Sequence, residues 1–282
     1  KIAASGNTMP LLNKDFVGMK AIPGDYAFTG LFTDCHALVT PPSLPATQLS
    51  AHCYHSLFTG CGIERAPKLP ATELDLSCYI WMFSNCKNLK EAPELPATQL
   101  ADLCYYKMFN GCTGLTQAPA LPATEMKRRC YESMFGDCQS LKEAPKLPVT
   151  KTAKSCFDNM FYNCTSLTHV PDLPNVAMDT LCCRSMFRSC TSLRTAPALP
   201  STTLGYECYL FMFDSCVNLT TAPELPAMNL EESNYKAPTI DGSEWEFDIQ
   251  KPTEPGIYRI QKDVDLDGGY VKPTGGEPII HT

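Results

Sequence analysis

The chain lacks any apolar run long enough to span a membrane, and no basic-then-apolar leader stands at its start. It has no surplus of positive charge: the formal net charge is −7. Residues 1–230 hold 18 Lys+Arg against 19 Asp+Glu, whereas residues 231–282 hold 5 against 11. The first part therefore offers no basic field to nucleic acid and the acidic last part repels it, so nucleic-acid binding is not expected. Cys-x-x-Cys, the close pairing that structural zinc sites want, is also missing, although the chain has 16 Cys. Nor do an acid, a base and a nucleophile converge anywhere in the pattern, so neither an enzyme nor a cofactor is expected. Disorder throughout is not expected either, because 44% of the residues are hydrophobic.

What is present is a repeat. Met-Phe-x-x-Cys occurs at Met82–Cys86, Met108–Cys112 and Met134–Cys138, returns at Cys164, Cys190 and Cys216, and carries Leu for Met before Cys35 and Cys61. These eight cysteines are spaced 26, 25, 26, 26, 26, 26 and 26 residues apart. A period in this range marks a solenoid, whose units bury their apolar faces only by stacking. In the unit from Leu89 to Cys112, residues 89–92 read as a short strand that ends beside Pro93. Thr98 is placed to cap a helix, as are Thr47, Thr72, Thr124, Thr150 and Thr202, while Val176 and Met228 break the series. Leu100, Cys104 and Met108 recur at i, i+4 and i+8 on one helical face, and Asn110-Gly111 supplies a stop. The expected fold is α/β: a solenoid of about eight 26-residue strand-helix turns, on the order of 40 Å long at the strand spacing of a parallel sheet. The unit ending at Cys61 is one residue short, and a local irregularity is expected at Gly62-Ile63.

The Met-Phe-x-x-Cys-x-x-Leu block, the x-Ala-Pro-x-Leu-Pro-Ala-Thr corner and the Cys-Tyr-x-x-Met-Phe segment resemble BspA-like leucine-rich-repeat surface proteins of anaerobic bacteria, over roughly residues 26–230. The resemblance implies a leucine-rich-repeat-like solenoid, export to the cell surface, and adhesion or binding in place of catalysis. Members of the family have been associated with host extracellular-matrix proteins. An extracellular or cell-surface location follows as an expectation, with the leader not present in this chain; a lipid anchor upstream of Lys1 is compatible with it. Three parts are expected: a lead-in or cap over residues 1–25, the repeats over 26–230, and an acidic segment over 231–282.

Seven repeats pair a second Cys with the first, eight residues earlier, as in Cys53/Cys61 and Cys104/Cys112. Cys35 has no such partner, and Cys183 stands where other repeats have an aromatic. Two readings stay open. The pairs are disulfides, for which a continuous helix would hold them too far apart at about 12 Å, or they form two ladders of buried, reduced thiols. The cluster His52-Cys53-Tyr54-His55 with Cys61 is not echoed in any other repeat and reads as coincidence, not a zinc site. The recurring Tyr54, Tyr79, Tyr105, Tyr131 and Tyr209 read as cover for the apolar layer, with hydroxyls at the rim.

Two positions per repeat change type while their neighbours stay fixed. One is Arg65, Glu91, Gln117, Glu143, His169, Thr195 and Thr221; the other is Lys68, Glu94, Ala120, Lys146, Asp172, Ala198 and Glu224. On a solenoid they stack into two files on the sheet face, the candidate surface for a protein or glycan partner. The competing reading is a stalk or spacer with no ligand. After Leu230 the repeat stops, and the alternation over residues 244–250 and 257–266 predicts a hairpin-type cap. Asp263, Asp265 and Asp267 match the start of a calcium loop, but Thr274 stands where Glu is required, so the wet face of a strand is favoured over a metal site.

Overall fold

The computed structural model describes residues 1–12, 15, 18–220, 223–225 and 258–259. The 26-residue period becomes a solenoid in which each turn lies directly on the next. β1 (Ile2–Ala3) pairs in parallel with β2 (Leu38–Thr40). Parallel bridges then link Arg65 to Glu91, Glu91 to Gln117, and Glu143 to His169, and a second row links Glu73 to Gln99, Glu125 to Lys151 and Met178 to Leu204. The expected strands are thus reduced to single bridges. A Pro follows two residues after the bridging residue in the central repeats and cannot donate to a ladder. β3 (Glu224–Leu225) pairs antiparallel with β4 (Tyr258–Arg259), which joins the end of the repeats to the acidic segment. The rest of the expected hairpin and the three candidate calcium aspartates lie outside the described residues.

The expected helices are not there. Among the described residues the single helix is a 3-10 turn at Met9–Leu11. In place of each α-helix runs a ribbon of overlapping β-turns. In the turn ending at Cys112, the N–H groups of Cys104, Tyr106, Met108, Asn110 and Cys112 each donate to the carbonyl three residues back. The N–H groups of Leu103, Tyr105, Lys107, Phe109 and Gly111 donate instead to the next turn, at Arg128, Cys130, Glu132, Met134 and Gly136, over 2.8–3.1 Å. Leu103, Lys107 and Gly111 have φ of +59°, +52° and +74°. They are the third residues of turns that need a left-handed conformation there, and these alternate with turns in which both central φ values are negative. The resulting period is four, not 3.6. Doublets such as Cys104-Tyr105 and Met108-Phe109 point inward and are buried, while the intervening pairs Tyr106-Lys107 and Asn110-Gly111 form the outer rim. The Thr residues expected as caps sit at the corners instead: the N–H of Thr98 donates to Thr72, and both the N–H and the hydroxyl of Thr150 donate to the carbonyl of Thr124.

The core is a set of ladders along the stack. Eight Phe, from Phe32 to Phe213, stack with ring centroids 5.5–5.8 Å apart. Phe28, Tyr54, Tyr79, Tyr105, Tyr131 and Phe157 form a second stack at 5.6–6.1 Å. The tyrosines are core filler, but not with every hydroxyl at the rim: that of Tyr131 is buried without a hydrogen-bond partner among the described residues. All 16 cysteines are free thiols, and all but Cys35 are buried. The Cys of each Met-Phe-x-x-Cys block has a specific task, donating its S–H to the Phe carbonyl of the preceding turn. Cys86 bonds Phe58, Cys112 bonds Phe83 and Cys138 bonds Phe109, at 3.0–3.2 Å. This is the second of the two cysteine readings, a small apolar side chain with a weak donor.

The short unit closes at Gly62, where a Cβ would lie 2.0 Å from the carbonyl oxygen of His36. Because the obstacle is backbone, Gly62→Ala should destabilise the fold by about 2 kcal/mol or more, read as a lower denaturation midpoint. Burial pushes the thiols of Cys53, Cys104 and Cys112 up to about 12, so they stay protonated and unreactive at neutral pH. Alkylation of the native protein without reductant should label Cys35 rapidly and the buried thiols only on unfolding, reaching 16 additions in denaturant by intact mass.

Candidate functional site

The two variable files stand where the repeat puts them. Arg65, Lys68, Glu91, Glu94, Gln117, Glu143, Lys146, His169, Asp172 and Thr195 are all exposed. The bridges through Arg65, Glu91 and Gln117, and through Glu143 and His169, hold the first file in register. Near its far end the surface sinks into an open cleft of about 440 Å³ lined by His169, Asp172, Arg194 and Thr195. His169 Nδ1 lies 2.9 Å from the Thr168 hydroxyl, and Asp172 accepts from the N–H of Ala198 in the next turn at 2.9 Å. The cleft therefore brings together three of the candidate residues, His169, Asp172 and Thr195, and spaces the others along the face. The cluster around His52 is resolved differently. Cys53 is buried, whereas the His52 ring stacks on Tyr26 and the His55 ring meets Trp81 on the rim.

A second group, missed by sequence reasoning, lies on the outer rim of the turn ribbon. Trp81, Tyr106, Lys107 and Arg129 come together there: the rings of Trp81 and Tyr106 are 6.0 Å apart, and both Lys107 and Arg129 lie over the Tyr106 ring, at 5.4 and 5.1 Å. Beyond them an open cleft of about 290 Å³ is lined by Arg128, Arg129, Glu132, Lys154, Asp158 and Arg184. Asp158 is buried and accepts from Arg184 through both carboxylate oxygens, the shortest contact being 2.7 Å. Glu132, also buried, accepts from Arg129 at 2.8 Å. Trp81 and Lys107 share one repeat position, and Arg128, Arg129 and Glu132 fall at neighbouring ones, so the 26-residue period stacks them on one side of the array. The signal available was the departure of Trp81 and Lys107, shared by Phe211, from the Gly, Ser and Asn that fill the same position in the other five repeats.

No protein-family model matches the chain, and no curated protein matches it. Among solved structures it is similar to the crystal structure of a leucine-rich repeat protein from Bacteroides ovatus, with 21% identity and a TM-score of 0.32. The match covers 71% of this chain and 57% of the length of that protein. Among the described residues no helix is long and apolar enough to cross a membrane.

Burial raises the carboxyl of Asp158 to about 6, against the pull of Arg184. A carboxyl whose folded value exceeds its unfolded one contributes most stability below the unfolded value, near 4, and loses that contribution as the pH rises through 6. The stability of the parent relative to Asp158→Asn should therefore fall between pH 4 and pH 6.5, by up to about 3 kcal/mol. Paired denaturant titrations across that range read the difference.

Proposed function

We propose that this chain is a non-enzymatic repeat protein, exposed on a cell surface or secreted, that binds a protein or glycan through the stacked sheet face. The carrying observation is a division of labour within each turn. The Met, Phe, Cys and Leu shared by the central repeats are buried in ladders, while the two sheet-face positions that change from turn to turn stand exposed, the first of them held in register by bridges. A face built this way varies its chemistry without disturbing the core, as extended solenoid surfaces do. The mixed signs along it, Arg65 and Lys68 followed by Glu91 and Glu94 and then Lys146, favour a macromolecule read over several turns. The cleft at His169, Asp172 and Thr195 lies on that face and offers an anchor point. The leucine-rich-repeat and BspA-like character belongs to this reading and rests on the repeat motif.

The test is a binding screen of the soluble chain against extracellular-matrix proteins and glycans at moderate salt. A saturable ligand should lose about tenfold or more in affinity on combined replacement of Glu91, Glu143 and Lys146 by Ala, with the melting temperature unchanged. A folded chain that binds nothing in the screen would move the reading to a spacer.

A further inference from the structure

The outer rim of the turn ribbon carries a second site, independent of the sheet face. Each turn has a middle left-handed position, filled by Gly30, Ser56, Ser133, Asn159 and Ser185 in five turns and by the larger Trp81, Lys107 and Phe211 in three. Trp81 and Lys107 occupy it in adjacent turns, with φ of +54° and +52°. A bulky side chain there costs on the order of 1 kcal/mol or more over Gly. Neither side chain is absorbed by the core: Trp81 is 37% exposed, and Lys107 extends over the ring of Tyr106. From Lys107 onward each of four successive turns contributes a cation to the same rim, namely Lys107, Arg129, Lys154 and Arg184. Buried Glu132 and Asp158 fix the planes of Arg129 and Arg184 from below. The surface is thus a line, aromatic at one end and cationic at the other, in a chain of net charge −7.

We propose that this rim binds a linear acidic polysaccharide, with a sugar face on Trp81 and carboxylate or sulfate groups on Lys107, Arg129, Lys154 and Arg184. Charge complementarity selects a polyanion. Strand addition by a peptide is closed, because the ribbon's N–H groups and carbonyls are already bonded within and between turns. Asp102, 39% exposed beside Arg128, can accept from a sugar hydroxyl, a donor that a deoxyribose phosphodiester backbone lacks.

Calorimetric titration of the full chain at about 0.15 M salt tests the proposal. The probes are a heparin oligosaccharide, an oligogalacturonate, a neutral cello-oligosaccharide, an oligoglutamate and an oligo-dT. The expected result is saturable binding of an acidic saccharide and at least tenfold weaker binding of the neutral one. Heparin alone would assign sulfate recognition, and oligogalacturonate alone would assign carboxylate recognition. Trp81→Asn should weaken that binding about tenfold or more while melting at or above the parent, since Asn tolerates the left-handed conformation. Lys107→Gln combined with Lys154→Gln should weaken it to a similar degree, and the sheet-face replacements should leave it unchanged. The proposal is overturned if no acidic saccharide binds, if the Trp81 and Lys variants bind as the parent does, or if oligoglutamate or oligo-dT binds as tightly.

Discussion

Everything in this solenoid depends on how the ribbon divides its backbone hydrogen bonds. Alternate N–H groups close turns within the ribbon and the others reach the next turn, so each residue is committed either locally or between turns. A buried backbone group left unpaired would be expensive, and the alternation leaves the central ribbons without one to spare. It also fixes the geometry. Bonds between turns need one ribbon in register with the next, and this register stacks the Phe, Tyr and Cys ladders. Short-range turns and long-range stacking are therefore one network, and neither persists without the other.

The arrangement requires left-handed backbone at regular intervals, and 21 residues other than Gly adopt it. Each costs on the order of 1 kcal/mol relative to Gly. Against this, every inward doublet buries two side chains worth about 1.5–3 kcal/mol each when large and apolar, and the bonds that fix it add further. Burial wins, but by a margin that leaves residue choice visible. The last left-handed position of each ribbon holds only Asp34, Gly60, Asn85, Gly111, Asp137, Asn163, Ser189 and Ser215. There the turns also crowd, since a Cβ on Gly111 would lie 2.3 Å from Oδ1 of Asn85.

The period, the stacking and the buried set were legible in the sequence because a 26-residue repeat with apolar residues at fixed offsets admits few other arrangements. The helix was not, and the reason is numerical. Leu100, Cys104 and Met108 fit i, i+4 and i+8 on a helix, but an ideal helix rotates the third of these about 80° away from the first. The apolar doublets Cys104-Tyr105 and Met108-Phe109 repeat at four without drift, which is a ribbon's signature. The cysteine question turned on the same point. Read as a helix, the paired positions stand about 12 Å apart, too far for a disulfide, and the thiols are given no other task; in the ribbon the thiols of the Met-Phe-x-x-Cys series from Cys86 onward each face a Phe carbonyl of the turn before. The placement of the sheet-face candidates did not depend on the helix, because bridging at Glu91 and its equivalents depends only on the period.

The position of the rim residues explains why the two faces differ in kind. On the sheet face the first file consists of bridge partners, so its side chains leave the surface at a fixed angle and recur at similar heights. The rim is made of turn centres, where small left-handed residues such as Ser133 and Ser185 stay buried and the larger Trp81 reaches solvent. Small residues there give a smooth edge; Trp81, Lys107 and Arg129 turn it into a projecting line that can bend its tips toward a ligand. A solenoid of this type thus has two surfaces that can change without touching the ladders, one reading shape over many turns and the other presenting a few long side chains in a row.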